Sequence, residues 1–113
     1  MSDRLPSQIL VGALLRRVND AGGIGAVLAK GDPQAGAILV VTCEKGRNFK
    51  VVERGLTATG ETGLVTAGPG MSQNSADIDA YWRQRRARDP DLWVVEVDIA
   101  AAERFAAETI IAG

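Results

Sequence analysis

The first apolar pattern in the chain has the period of an α-helix. Within residues 7–21, four apolar residues recur three and four positions apart: Val11, Leu14, Leu15 and Val18. This spacing places them on one helical face. Ser7 is a favourable N-cap residue, and Gly22 stands where a glycine commonly follows a helix. The pattern therefore predicts a helix over 7–21 that packs on a sheet through this face.

Three apolar runs separated by short turns follow the predicted helix, over residues 24–30, 37–43 and 49–53. Asp32 followed by Pro33 is typical of a type I turn, and residues 44–47 form the second turn. The second run is apolar on both faces, as the central strand of a sheet would be. Because short turns join neighbouring antiparallel strands, the three runs predict an antiparallel meander.

Residues 55–74 differ in composition from the rest of the chain. They contain five glycines, four threonines and Pro69, and such residues interrupt regular structure. The segment therefore predicts a flexible loop with at most a short strand over 64–66. A loop of this length is usually functional or mobile.

The last third of the chain predicts a helix, a strand and a closing helix. The helix starts at Ser75, has Ile78, Tyr81 and Trp82 as its apolar face, and ends before Asp89-Pro90. Residues 92–97 predict the strand. Residues 100–112 predict the closing helix, with one face made of Ala102, Phe105, Ala106, Thr109 and Ile110.

Together these elements indicate an α+β protein that forms a single domain over residues 1–113. We expect a small, mostly antiparallel sheet of about four strands, packed with two to three helices. The order along the chain is a helix, three strands, a loop, a helix, a strand and a helix.

The composition excludes several classes of chemistry. The chain contains no histidine, which removes the commonest general base, the usual activator of a catalytic serine or cysteine, and a frequent metal ligand. The single cysteine, Cys43, cannot form an internal disulfide and lies in an apolar run, which favours a packing role. We find no signal peptide and no apolar stretch long enough to span a membrane. We therefore expect a cytoplasmic protein without a membrane partner.

Glycine and carboxylate motifs do not form a recognisable site either. Gly23-Ile24-Gly25 and Gly68-Pro69-Gly70 lack the third glycine of a dinucleotide-binding loop, and no P-loop lysine motif is present. Asp77 and Asp79 in the first turn of the second helix, and Asp89 and Asp91 after its end, are spaced as helix-capping and turn residues rather than as metal ligands. We expect neither a cofactor nor a metal, and the residues favour a non-enzymatic role.

Arginines form the strongest candidate binding surface. Four of them lie within residues 83–88, next to two aromatic residues, and basic and aromatic side chains together suit a phosphate backbone or an acidic protein face. A helix spreads these arginines around its circumference, and the net charge of the chain is −1, so we expect nucleic-acid binding to be weak or absent. The candidate contact residues are Arg16, Arg17, Trp82, Arg83, Arg85 and Arg86.

Three motifs together resemble a known family. They are Ala13-Leu14-Leu15-Arg16-Arg17, Gly31-Asp32-Pro33 and Asp89-Pro90-Asp91-Leu92-Trp93-Val94-Val95-Glu96. The chain is similar, over most of its length, to a family of small bacterial proteins catalogued only as a domain of unknown function. The resemblance implies a bacterial, cytoplasmic, single-domain protein, and it implies no activity, cofactor or catalytic residue.

Three functions are compatible with these observations. The favoured one is a non-enzymatic adaptor that binds another protein, including a second copy of itself, because a small open sheet leaves an unpaired edge for strand addition. The first alternative is a small anionic-ligand binder or enzyme that uses residues 55–74 as a lid, with Arg16 or Arg17 contacting the ligand. The second alternative is a weak nucleic-acid binder through the arginines of 83–88.

Overall fold

A five-stranded sheet lies between two layers of helices in the computed structural model, which describes residues 4–111. The elements in chain order are α1 (Ser7–Asp20), β1 (Ile24–Ala29), β2 (Ile38–Glu44), β3 (Arg47–Leu56), β4 (Thr62–Ser72), α2 (Ser75–Arg88), β5 (Trp93–Asp98) and α3 (Ala102–Ala106). A π-helical turn (Ala107–Ile111) continues α3. The predicted α+β class is confirmed.

The order of the strands in the sheet differs from the prediction. The strands lie in the order β1-β5-β2-β3-β4, with β2 and β5 parallel and the other three pairs antiparallel. The sheet is therefore mixed and has five strands rather than about four, although three of its four pairings are antiparallel. The predicted meander is wrong for β1, whereas β2 and β3 form an antiparallel pair as predicted. The reason is that β5 is apolar on both faces, so it takes an interior position between β1 and β2 where helices cover both of its sides.

Residues 55–74 contain regular structure where we predicted a flexible loop. β3 leads through a turn over residues 57–61 into β4, which forms one edge of the sheet. The short strand predicted over 64–66 is the middle of β4. Gly68 shows why the glycines misled the prediction: it has φ +75°, and a side chain there would lie 2.9 Å from the Tyr81 ring. Glycine is needed at this position for its positive φ and for the close approach of Tyr81, and it does not mark a loop.

Each face of the sheet has its own apolar core. α1 and α3 pack on one face, and the predicted face of α1 is confirmed, since three of its four residues are buried and Leu15 is half-buried. α2 packs on the opposite face through Ile78 and Trp82. No helix within residues 4–111 is both long enough and apolar enough to cross a bilayer.

The two terminal helices differ from the prediction at their ends. Pro6 is the N-cap residue of α1, and Ser7 lies inside the helix, where its hydroxyl donates to the Gly36 carbonyl at 2.6 Å. The closing helix starts at Ala102, after a left-handed residue at Ala101, and changes to a π-helical turn. Its predicted last residue, 112, lies outside the described residues. Four of the five residues of its predicted face are buried, and Phe105 is half-buried.

Two loops that are distant in sequence meet at one end of the sheet. We name residues 30–36 and 89–92 the loop junction. The amide of Asp32 donates to the Asp91 carbonyl at 2.9 Å, and the Trp93 indole donates to the Asp32 carbonyl at 2.7 Å. A side chain on Gly31 or Gly36 would lie 2.2 Å from the Asp91 carbonyl oxygen. The two loops can therefore approach this closely only because both positions are glycine.

Candidate functional site

The two candidate arginines of α1 lie on the same face of the sheet as α3. Arg17 donates to the Thr109 hydroxyl at 2.7 Å and to the Glu108 carboxylate at 2.7 Å, and its guanidinium lies 5.7 Å from the centre of the Phe105 ring. These contacts attach the C-terminal helical segment to α1. The neighbouring Arg16 is exposed.

Arg85 of α2 is held by a carboxylate of the sheet. Its two terminal nitrogens donate to the two oxygens of Glu53 on β3 at 2.8 and 3.1 Å, and one of them also donates to the Tyr81 hydroxyl at 2.8 Å. The bonds to Glu53 are the main reason that the pKa of Arg85 is raised. Arg85 therefore links α2 to β3, and its charge is balanced within the chain.

Arg86 joins α2 to the loop junction. Its Nε donates to the Leu92 carbonyl at 2.9 Å, and its Nη2 donates to the carbonyls of Lys30 at 2.7 Å and Pro90 at 2.9 Å. A planar guanidinium can serve several acceptors at once. The side chain therefore connects the end of one helix to both loops.

Trp82 lies in the core beneath α2 and is only 7% exposed. Its indole nitrogen donates to the Asp79 carboxylate at 3.1 Å. The Arg83 guanidinium lies 4.7 Å from the centre of the Trp82 ring, which is a cation–π distance. Trp82 is thus a packing residue rather than an exposed anchor.

The structure does not bring the six predicted contact residues together. α1 and α2 lie on opposite faces of the sheet, which separates Arg16 and Arg17 from the other four. Intramolecular hydrogen bonds occupy Arg17, Arg85 and Arg86. Local sequence could not indicate this, because the bonding partners come from distant elements.

The edge strand β1 offers a different surface. It contains no charged residue, and the exposed fractions of its large side chains are 69% for Ile24, 43% for Val27 and 37% for Leu28. It pairs with β5 on one side and, among the described residues 4–111, has no strand neighbour on the other. Natural edge strands usually carry charges or proline, which prevent pairing with another chain. An apolar edge is therefore a candidate contact surface.

The two edges of the sheet are protected to different degrees. On β4, Pro69 cannot donate a backbone hydrogen bond. On β1, the Asn19 side chain accepts from the amide of Gly25 at 3.1 Å, and a bulge at Leu28 interrupts the pairing with β5. These features restrict pairing with another chain at the two ends of β1. The middle of the strand, around Val27, stays open to such pairing.

A groove of about 400 Å³ lies beside β1 on the α2 face, and Glu96 is one of its lining residues. Glu96 is in the interior strand β5, directly opposite Ala26 of β1, and is half-buried. Within residues 4–111 its carboxylate makes no hydrogen bond and no ion pair. Burial raises the pKa of Glu96, and the charges of Asp98 and Asp79 raise it further.

Asp98 borders the same groove, but its carboxylate is occupied. It accepts from the amides of Lys45 at 2.6 Å and Gly46 at 3.1 Å. These two residues form the turn between β2 and β3, with φ values of 53° and 71°, which is the type I′ hairpin geometry. Asp98 therefore attaches this turn to the end of β5 and leaves Glu96 as the unpaired carboxylate of the groove.

The groove is suited to binding rather than to covalent chemistry. Burial raises the pKa of the Cys43 thiol to about 12, with the charges of Asp98 and Glu96 adding to the effect, so the nucleophilic thiolate is not formed. No three potential ligand side chains converge on a metal site in the described part of the chain. The carboxylate of Glu96 lies next to an apolar edge and attracts a cation, and the Arg83 side chain lines the same groove.

The sequence contains a signal for Glu96, although the predicted contact residues did not include it. Glu96 is the single charged residue within 92–97, in a strand otherwise apolar on both faces. An unpaired charge is costly inside a core, so this position must face an opening. The position of β1 at an edge had no such signal, because strand order depends on contacts between distant segments.

Comparisons with known proteins agree on one family. A family model described as "Protein of unknown function (DUF1491)" matches residues 5–107. The chain is similar to the crystal structure of a DUF1491 family protein from Caulobacter crescentus CB15, with 32% identity and a TM-score of 0.77 over 90% of this chain and 94% of that one. It is also similar to the solution structure of a protein from A. tumefaciens, with 31% identity and a TM-score of 0.68 over 85% and 86% of the two chains. A search of curated proteins found no match.

Proposed function

The chain belongs to the DUF1491 family, as its motifs predicted, and we propose that it is a non-enzymatic interaction module that binds a protein partner through the edge strand β1. The names of the two similar structures state no activity to transfer. The proposal therefore depends on the surface of this chain.

One observation supports this function above the others: apolar side chains stand exposed on a strand that has a neighbour on one side only. Addition of a partner strand would satisfy the free backbone groups around Val27. It would also remove Ile24 and Leu28 from water, which is favourable for apolar surface.

The motifs that mark the family are accounted for by the fold. Gly31-Asp32-Pro33 and Asp89-Pro90-Asp91 meet in the loop junction, and Trp93 and Arg86 bind its carbonyls. Because these residues hold two loops and a helix together, they are not free to act on a substrate. This supports a contact surface outside the motifs.

The two alternative functions have less support. A lid over 55–74 would need a mobile segment, whereas residues 62–72 pair with β3. Of its two candidate arginines, Arg17 is bound to Glu108 and Arg16 is exposed. A phosphate-binding face on α2 would need free arginines, whereas Arg85 binds Glu53 and Arg86 binds three carbonyls.

The edge is tested by capture with matched variants. Val27→Lys places a charge at the centre of β1, where lysine is a common protection of natural edges. Leu56→Lys is the control, because Leu56 is also an exposed apolar residue (73%) but lies on β3 at the β3–β4 turn. We expect proteins that the wild-type chain and the control retain from a native bacterial lysate to be lost with Val27→Lys. Equal capture by all three chains would contradict the proposal.

A further inference from the structure

The surroundings of β1 carry more negative than positive charge. Beside the strand on the α2 face, three carboxylates and one cation line the groove: Asp79, Glu96, Asp98 and Arg83. At the beginning of the strand, a second hollow is lined by Glu44, Asp98 and Lys45. The loop junction after the strand contains one lysine and three aspartates and binds Arg86: Lys30, Asp32, Asp89 and Asp91. The edge is therefore complementary in charge to a basic partner.

The cation in the groove does not neutralise it. The Arg83 guanidinium lies over the Trp82 ring and forms no ion pair within residues 4–111. Asp79 and Asp98 accept hydrogen bonds from an indole and from backbone amides, which are neutral donors and leave both charges in place. The groove is thus negative overall, and Glu96 is its carboxylate without a donor.

The hydrogen bonds of β1 show which of its backbone groups face the open edge. The amide of Gly25 donates to the Asn19 side chain rather than to β5. Because successive residues of a strand direct their backbone groups to alternate sides, Val27 directs its amide and carbonyl to the same open side as Gly25. An antiparallel strand added there forms hydrogen bonds with Val27. Its residue across from Ala26 then lies in a non-hydrogen-bonded pair, where side chains are closest.

We propose that the partner at this edge is an extended segment of another protein that carries a lysine or arginine across from Ala26. The inference rests on the proposed function, since it uses the same edge. Ala26 lies directly opposite Glu96 in the β1–β5 pairing. Residues opposite each other share a face of the sheet, so the basic side chain, Ala26 and Glu96 all lie on the α2 face.

The distances suit this contact. Two strand spacings, about 10 Å, separate the backbone of the partner's basic residue from that of β5. Ala26 is exposed and has only a methyl side chain, so a long cationic side chain can pass over it. A lysine or arginine and a glutamate that extend toward each other span the gap. Leu28 lines the same groove and can cover the apolar stem of the basic side chain.

The contact is small, and this determines its strength. A strand of six residues is about 20 Å long, so the interface falls short of the standard size of stable complexes. The Asn19 contact and the bulge at Leu28 further limit the number of hydrogen bonds to the partner. We expect reversible binding with micromolar affinity.

Selection from random heptapeptides displayed on phage tests the chemistry of the partner. On the immobilised wild-type chain, we expect enrichment of lysine or arginine at one position, flanked by strand-forming residues. Glu96→Lys should instead enrich aspartate or glutamate at that position, because the complementary charge is reversed. Glu61→Lys is the matched control, since it makes the same change of charge on an exposed residue of the β3–β4 turn. It should enrich the same peptides as the wild type.

Fluorescence anisotropy of one enriched, labelled peptide then measures affinity. Glu96→Gln should weaken binding roughly tenfold, because it removes the charge and keeps the shape of the side chain. Val27→Pro should abolish binding, because it removes the outward amide without adding a charge. Val27→Lys, which keeps the amide and adds a charge, should abolish it as well. Far-UV circular dichroism checks that each variant is folded.

Several results would overturn the inference. They are a selection that enriches no basic residue, an affinity that Glu96→Gln leaves unchanged, and binding that survives both Val27 variants, which would assign the groove to a free cationic group rather than to an added strand. A wild-type dimer that depends on Val27 in sedimentation equilibrium would assign the edge to a second copy instead. If the inference fails while capture from the lysate still depends on Val27, the proposed function stands; if neither peptide binding nor capture depends on Val27, both fail.

Discussion

Replacement of Arg86 by alanine should destabilise the fold by about 2 kcal/mol. The bond from Arg86 to the Leu92 carbonyl is partly buried, and loss of such a bond from a charged group costs about 2 kcal/mol. The bonds to Lys30 and Pro90 are exposed, so water replaces them at a cost of about 0.5 kcal/mol each. About 1 kcal/mol is recovered because alanine has no side-chain freedom to lose on folding.

Urea denaturation followed by tryptophan fluorescence measures this change, since Trp93 donates to the loop junction. The midpoint should fall while the slope with urea stays the same, and the melting temperature should fall by about 8 °C. Arg88→Ala is the matched control, because this exposed arginine lies in the same helical turn. Its effect should stay below about 0.5 kcal/mol.

A lysine variant and the size of the alanine effect together test the role of the guanidinium. Arg86→Lys should lie between wild type and Arg86→Ala, because a single ammonium cannot serve three carbonyls as a planar guanidinium does. A loss for Arg86→Ala as small as that for Arg88→Ala would refute this reasoning. It would mean that water satisfies the Leu92 carbonyl as well as the guanidinium does.

Three further predictions concern the groove and its borders. Asp98→Ala should cost about 1–2 kcal/mol in urea denaturation, because two amides of the β2–β3 turn lose their acceptor; Asp98→Asn, which keeps an acceptor, should cost less. Cys43 should react with a thiol reagent only as fast as the chain unfolds, given its burial and a pKa of about 12, and rapid labelling of the native chain would contradict this. Glu96→Gln should raise the melting temperature at neutral pH, because a carboxyl whose pKa is raised on folding lowers stability above that pKa; the gain should vanish below about pH 4, where glutamate is protonated in both states.

The helices and every strand except β4 could be predicted from local pattern, and the arrangement of the strands could not. The periodicity of α1 and the apolar runs of the strands identified the elements, since these signals lie within a few residues of each other. The position of β5 between β1 and β2 depends on pairing between residues 55 to 74 positions apart in sequence, and sequence neighbours are adjacent in a sheet only about two-thirds of the time. The expectation that short turns join neighbouring strands was therefore reasonable and wrong for β1.

The arginines and the glycines show a second limit. Arg85 and Arg86 had the appearance of a binding surface because their partners, Glu53 and the carbonyls of the loop junction, lie in other elements. Gly68 had the appearance of a loop residue because its contact with Tyr81 is likewise distant in sequence. In each case the residue type was correctly identified as unusual. The reason for it is a contact with a residue of another element of the fold.

Most of the motif residues that identify the family build the loop junction or the apolar cores, so membership of the family describes the structure of this chain rather than its function. Glu96, the last residue of the third motif, does neither. A function must then reside in residues that the fold does not need. Glu96 fits that condition: its carboxylate makes no bond within the described residues, and its raised pKa shows that the folded state is less favourable for its charge than water is. An apolar side chain at this position would extend the packing around Trp82 and Val94 on the same face. A charge that lowers stability and lies beside an exposed apolar strand is expected where a partner supplies the missing cation. Glu96, whose charge lowers the stability of the fold, is therefore the residue at which the proposed contact is best tested.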